Sequence, residues 1–387
     1  MLFKIEGRET ARRFRESDMI NEQRLLAEFL ELVSFDSESL HEGPIRDHLK
    51  QKLTELGLEV REDDAAARLG SEAGNLYARL DGTGESVLFS AHMDTVSPGR
   101  GKRPVVEDGI VRSDGTTVLG ADDCAGLAAI LEALTVLRER DIPHPPIEIL
   151  FTVAEEIYGQ GSVLFDCSRL TSRAAYVLDL SGPVGRAAVC APTLLRLDVT
   201  VRGRAAHAGF CPERGVNALR IAASALAEIP TGRVTEDTTV NFGLISGGTG
   251  INIVPEEIRL SGEIRSLNHP RATERSRHIA GVFREKARAM GGDAEITVTE
   301  QIRAYRIGSR DPVVRRFERA ARAMGLEPRQ ITTFGGSDNN HFVRRGIRGI
   351  VLACGMNEVH SVRETQDIAE LVRLAELTLR LMEKEEA

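Results

Sequence analysis

An α/β layer fold with a largely parallel sheet, interrupted by a separate α+β insertion, is what this sequence predicts. Three observations carry that reading. Strand-like runs alternate with helical periodicities up to about residue 191, longer alternating strands fill 192–302, and the strand and helix texture resumes from 303. A chain of 387 residues is roughly two to three typical domains long, so the first domain is expected to be discontinuous, 19–191 plus 303–387, with 192–302 inserted into it.

Taken in order, residues 1–18 are mostly charged or polar and are expected to form a loose extension. From Asn21 the spacing of Leu25, Leu26, Phe29, Leu30 and Val33 predicts a helix, and Ile45, Leu49, Leu53 and Leu56 predict a second. β-rich runs at 58–61, 75–80 and 86–90 precede a helix at 125–138 and strands at 147–153 and 174–178. The insertion shows strands at 194–201, 239–245, 257–264 and 294–300, with two helical stretches between them. A helix near 312–324, a strand at 349–353 and a last helix near 368–382 complete the first domain. In such folds ligands sit outside the carboxyl ends of the strands, which is where chemistry is to be sought.

Composition removes several classes of function. With 42% hydrophobic and 28% charged residues the chain can build a core and is not disordered. A formal charge of −8 opposes the counterion release that drives nucleic-acid binding, and the lack of Trp leaves little for stacking single-stranded bases. The cysteines, Cys124, Cys167, Cys190, Cys211 and Cys354, are odd in number and never in a C-x-x-C pair, which fits a reducing, cytoplasmic setting better than a disulfide framework. No apolar run reaches the ~18 to 20 residues of a membrane span, and the charged N-terminus does not read as a secretory signal.

Five clusters of ligand-type residues fall at strand ends or helix starts. His92 and Asp94, in AHMDTV, follow the run 86–90 and share one face by the period of two; a metal-bound histidine beside its supporting carboxylate and a satisfied core histidine beside a capping Asp are both open readings. Asp122 and Asp123 stand before a helix, where one carboxylate suffices for a cap, leaving the other free. Glu155 and Glu156 end the strand at 147–153, Asp179 ends the strand at 174–178, and His360 lies in the loop after 349–353. His, Asp and Glu in this combination suit zinc, cobalt or manganese. His207, Asn252 and Arg265 are polar features of the insertion, and Arg265 reads equally as a structural salt bridge. Cys124 reads as a small buried residue, while Asp338 and His341, in GGSDNNHF, suit substrate binding or loop support.

With these residues in their order, the chain from about Asn21 to its end resembles the dinuclear zinc exopeptidases, the family of peptidase T, aminoacylase and the glutamate carboxypeptidases. GADD at 120–123 and TTFGGSDNNHF at 332–342 are most similar to its peptidase T branch of tripeptide aminopeptidases. The resemblance implies an α/β/α catalytic domain with an inserted α+β lid and dimerisation domain. It implies two divalent metal ions per chain, zinc first and cobalt or manganese as alternatives. His92 and Asp179 then serve the first metal, Asp122 bridges, and Glu156 and His360 serve the second; Glu155 is the general base and Asp94 orients His92. His207 is expected to reach the partner subunit's active site in a homodimer, and Asn252 and Arg265 to bind the substrate's free carboxylate. Two departures, Cys124 where relatives often carry Lys and Leu180-Ser181-Gly182 after the third ligand, leave the metal set intact and blur the substrate class.

Removal of the N-terminal residue from short peptides, tripeptides foremost, is therefore the expected activity, with no nucleic-acid or membrane partner. A carboxypeptidase or N-acyl-amino-acid amidohydrolase with the same metals is the alternative within enzymes. A metal-binding dimeric scaffold without turnover is the alternative outside them, and Glu155, which has no needed ligand role, argues against it.

Overall fold

The computed structural model describes residues 19–384; the extension expected at 1–18 lies outside them. A nine-stranded sheet runs in the order Glu59–Glu62, Leu76–Leu80, Ile147–Thr152, Val87–His92, Ala174–Leu180, Arg348–Ala353, Arg186–Ala191 and Tyr305–Arg306, with Arg329–Thr332 also paired to Arg186–Ala191. Its four middle strands are mutually parallel, whereas Leu76–Leu80 and Arg186–Ala191 join them antiparallel.

Val87–His92 and Ile147–Thr152 are buried at every position, as strands covered on both faces must be, and their residues divide by the period of two. Val87, Phe89 and Ala91 enter the main core with Ile147, Ile149 and Phe151, against the helices Ala121–Glu139, Ile368–Met382 and Glu22–Ser34. Leu88 and Leu150 face the other way, into a smaller cluster with Phe165, Phe342 and Val351. Phe89 has no exposed surface and its ring centroid lies 5.6 Å from that of Tyr176. Phe89→Ala is expected to lower unfolding stability by about 3–5 kcal/mol, read as an earlier midpoint in urea.

The inserted unit is built on an antiparallel sheet ordered Gly232–Thr235, Thr238–Gly247, Glu257–Ser266, Thr193–Arg202 and Asp293–Ile302. The helices Ala218–Glu228 and His269–Ala289 pack on it around their own cluster, including Leu197, Ile221, Ile264 and Phe283. The chain leaves the large sheet after Ala191 and returns at Tyr305, which pairs with Ala191, so the insertion begins and ends on neighbouring strands.

A third, four-stranded sheet combines Val105–Glu107 and Ile110–Arg112 with Met356–Asn357 and Thr365–Asp367. It has no counterpart in the sequence reading, because strands of two or three residues are too short to show alternation. Its role is to brace both ends of the His360 segment. Among the described residues all five cysteines are free, and no helix is long and apolar enough to cross a membrane.

Candidate metal centre

The strand-end residues converge at the carboxyl end of the parallel strands. His92 is the last residue of its strand, which extends two residues beyond the expected run. Glu155 and Glu156 follow Ile147–Thr152, Asp179 is next to last in Ala174–Leu180, and His360 lies in the segment between Met356–Asn357 and Thr365–Asp367. The Ala121–Glu139 helix starts earlier than its periodicity suggests, with Asp122 and Asp123 in a non-helical first turn that sends the two carboxylates apart. Asp123 accepts from the backbone N–H of Gly126 at 3.2 Å and of His92 at 3.2 Å. Asp122 turns toward the histidines.

Asp122 stands between the two rings. Its Oδ1 is 3.1 Å from His92 Nε2 and its Oδ2 is 3.2 Å from His360 Nε2. His360 Nε2 is also 3.0 Å from Glu156 Oε2, and Asp179 Oδ1 lies 3.8 Å from His92 Nε2. Ligand atoms of His92, Asp122 and Glu156 lie within 4.8 Å of one another, as do those of His92, Glu155 and Asp179. The cluster therefore offers two groups of donor atoms that share a histidine, with the Asp122 carboxylate reaching toward both imidazoles.

His92 holds this aim because its Nδ1 bonds the backbone carbonyl of Asp94 at 2.9 Å, leaving Nε2 for the cluster. Asp94 meets the ring at two points, closely through this carbonyl and more loosely through its carboxylate. The Asp94 carboxylate is 3.5 Å from Nδ1 and also accepts from the backbone N–H of Glu155 at 2.9 Å, that of Glu156 at 3.1 Å and the Ser39 hydroxyl at 2.6 Å. One residue thus fixes the histidine through its carbonyl and the glutamate pair through its carboxylate.

The electrostatics are those of an anionic pocket short of cations. Burial, then the charge of Asp179, pushes the Glu155 carboxyl well above its ordinary range. Burial raises Asp179 to about 7 and also raises Glu156. Burial raises Asp122 as well, but hydrogen bonds from His360 and His92 outweigh it and bring this carboxyl down. Hydrogen bonds to Asp122 and Glu156 lift His360 to about 10. Burial disfavours a charged His92, yet its bonds to Asp122, Asp179 and Asp94 hold it well above its usual value. Two protonated rings are the charge this many carboxylates demand, and divalent cations would meet the same demand. Glu156 Oε1 is buried with no hydrogen-bond partner, so the protein leaves one ligand-type oxygen unused. Imidazole nitrogens and carboxylate oxygens at these distances fit zinc, cobalt or manganese.

The cavity over the cluster is lined by Asp122, Glu155, Glu156, Asp179 and His360, and on its far wall by Thr333, Gly335, Gly336 and Ser337. His207 and Asn252 are not among its lining residues. His207 is exposed, its ring stacked at 4.1 Å on Phe210, and Ala208 beside it donates to the Asn252 carbonyl at 2.9 Å. Arg265 is held by Glu263, which takes Nε at 2.7 Å and Nη2 at 3.1 Å, while Nη1 donates to the Phe334 carbonyl at 2.9 Å. Its fork is thus filled by an ion pair from its own strand, and the salt-bridge reading describes its state in this structure. Asp338 accepts from the Thr152 hydroxyl at 2.5 Å and ties the far wall to the end of the Ile147–Thr152 strand. Cys124 is buried, and burial pushes its thiol up to about 12, in keeping with the reading of a small buried residue.

The sequence reading passed over Glu364. Its carboxylate, 1% exposed, accepts from the backbone N–H of Leu119 and Gly120 at 2.8 Å each and of Asp122 at 3.0 Å, and burial raises it to about 7. It ties the His360 segment to the turn that presents Asp122. An acid four residues after a candidate ligand was the available signal.

Similarity to known proteins places this geometry. Residues 88–384 match the model of peptidase family M20/M25/M40. The chain is 42% identical over 368 residues to the uncharacterized protein YqjE of Bacillus subtilis strain 168, covering 95% of this chain and 99% of that one. Among solved structures it is similar to the aminopeptidase PepT of Bacillus cereus ATCC 10987, with 42% identity, a TM-score of 0.87 and coverage of 94% and 98%. It is likewise similar to a tripeptidase of Staphylococcus aureus subsp. aureus Mu50, with 40% identity, a TM-score of 0.91 and the same coverage. A strand-end cluster of histidines and carboxylates, a catalytic domain with an inserted one, and a family match across most of the length make this chain a member of peptidase family M20/M25/M40, a hydrolase of the metallopeptidase class.

Proposed function

We propose that the protein is a two-metal aminopeptidase acting on short peptides, tripeptides foremost, with zinc as its metal. The observation that carries this reading is Asp122, one carboxylate oxygen toward each histidine, with Glu155 beside the same cluster. In it, His92 and Asp179 would hold one ion and Glu156 and His360 the other, with Asp122, which faces both imidazoles, serving both. When bound, the two ions supply Lewis acidity that makes a water nucleophilic near neutral pH and polarises the scissile carbonyl. Glu155 takes the attacking water's proton and returns it to the leaving amine, a task suited to a carboxyl whose affinity for protons burial has increased. Asp94 keeps that carboxylate in place through the amides of Glu155 and Glu156.

His207, Asn252 and Arg265 recognise the substrate in this reading, with Arg265 exchanging Glu263 for the terminal carboxylate. His207 does not line the cavity of its own chain, and in this reading it serves the cavity of a second copy. Support comes from the apolar surface around His207 and Asn252, where Phe210 is 86% exposed and Leu244, Ile245 and Ile251 are also uncovered. Five free thiols support a reducing, cytoplasmic setting.

The deciding experiment incubates zinc-loaded protein with di-, tri- and tetrapeptides and N-acyl amino acids and identifies the products. Unblocked tripeptides are expected to lose their first residue roughly tenfold or more faster than the other substrates, because only a substrate of that length engages the carboxylate clamp and the scissile carbonyl together. Release of C-terminal residues, or preference for N-acyl amino acids, would replace this reading with the carboxypeptidase or amidohydrolase one.

A further inference from the structure

The loop bearing Glu155 and Glu156 is held from beneath by side chains far away in sequence. Four successive amides each end on a buried group. Val153 donates to Asn75 Oδ1 at 3.1 Å, Ala154 to Glu42 Oε1 at 3.0 Å, and Glu155 and Glu156 to the two oxygens of Asp94 at 2.9 and 3.1 Å. Ala154, immediately before the pair, has φ 53°, a left-handed conformation that a residue with a Cβ keeps only where its surroundings enforce it. The side chain that meets its amide is Glu42.

Glu42 lies at the entry to the Gly43–Glu55 helix and has no exposed surface. Its Oε1 also accepts from the Leu40 N–H at 2.9 Å, and its Oε2 accepts from the Ser71 hydroxyl at 2.9 Å. Among the described residues no cation pairs with it, and burial together with the charge of Asp94 raises its carboxyl above the ordinary value. An unpaired acid in the interior is costly unless its acceptor geometry is needed. Its three donors show where that geometry is used: two loop amides and one hydroxyl, one of the amides adjoining the catalytic pair.

We propose that Glu42 is a positioning residue for the catalytic loop: by accepting the Ala154 amide it holds the left-handed turn that aims Glu155 at the cluster and Glu156 at His360. It touches no reacting atom. The inference rests on the roles given above to Glu155 and Glu156, and it adds a residue outside the strand-end set.

The test compares Glu42→Gln, Glu42→Asp and Glu42→Ala by cobalt titration of the metal-free proteins, followed by visible absorption, and by tripeptide kinetics. Glutamine keeps an amide oxygen for both loop amides and can donate to the Ser71 oxygen, so kcat and both cobalt affinities should stay within about threefold of wild type. Aspartate is one methylene too short to reach Ala154. It should lower kcat roughly 10- to 100-fold with KM within about threefold, and weaken one of the two cobalt affinities roughly tenfold while sparing the other. Alanine should do the same or more, and if it does not fold, the aspartate and glutamine variants decide. Folded aspartate and alanine variants with wild-type kcat and both cobalt affinities would overturn the proposal, as would a lower melting temperature with unchanged kcat, or a glutamine variant as impaired as alanine. Cobalt binding reads the loop without turnover, so a wild type that binds two ions but cuts no peptide would refute the proposed activity and leave this test standing. A wild type that takes up no cobalt overturns both.

Discussion

Glu155→Gln is expected to lower kcat roughly 10²- to 10⁴-fold while two metal ions per chain remain bound. The split follows from what the side chain touches. Glu155 belongs to the group with His92 and Asp179, yet Asp122, Glu156 and His360 make their contacts without it. Its removal therefore takes away the proton carrier and leaves the donor atoms. Glutamine fills the same volume and leaves the Asp94 bonds to the loop untouched, since these run through the backbone. KM should change little, because the interaction lost is one made in the transition state. Elemental analysis beside steady-state kinetics makes the check, and a variant that keeps a tenth or more of wild-type turnover would remove Glu155 from the role of base.

Asp122→Ala is expected to do more damage, and of another kind. One carboxylate satisfies two histidines, at 3.1 and 3.2 Å, so its loss uncouples both halves of the cluster at once. Metal content should fall below one ion per chain after dialysis. Turnover should fall at least roughly 10³-fold, since Lewis-acid stabilisation of several kcal/mol is forfeited and each 1.36 kcal/mol is tenfold. The same protein should elute with wild-type retention on size exclusion, because the core that carries the Ala121–Glu139 helix does not depend on this side chain. An Asp122→Ala chain that retains two ions would show that the bridge has been assigned to the wrong residue.

How far such a cluster can be read before folding depends on which kind of contact makes it. His92, Glu155, Glu156 and Asp179 are legible because a parallel α/β sheet delivers the ends of its strands to one edge, so acids and histidines at those ends must meet. Asp122 and His360 follow from the same logic at a helix start and a strand exit. Glu42 and Glu364 are not legible by it. They work by accepting backbone amides, a service that any acid in the right place can give and that leaves no pattern in residue types. Glu42 in particular reads as an ordinary residue ahead of a helix opened by Gly43 and Pro44. Arg265 is the opposite case: a structural salt bridge was an open reading of it, and the structure supplies the partner, Glu263, two positions earlier on the same strand face. The four-stranded sheet around His360 escaped because its pieces are shorter than the period they would have to display.

The pairing of Ala191 with Tyr305 has a consequence for the length of chain between them. At the junction, Asn340 Nδ2 donates to the carbonyls of Pro192 at 3.2 Å and Arg303 at 2.9 Å, and the Ala304 amide donates to the Thr193 hydroxyl at 2.9 Å. Outgoing and returning strands are therefore stitched side by side, one antiparallel spacing of about 5 Å apart. A segment of more than a hundred residues enters the large sheet as though it were the loop of a hairpin. A change in the length of that segment therefore leaves the register of every strand that carries a cluster residue untouched, provided a turn still joins the two paired strands.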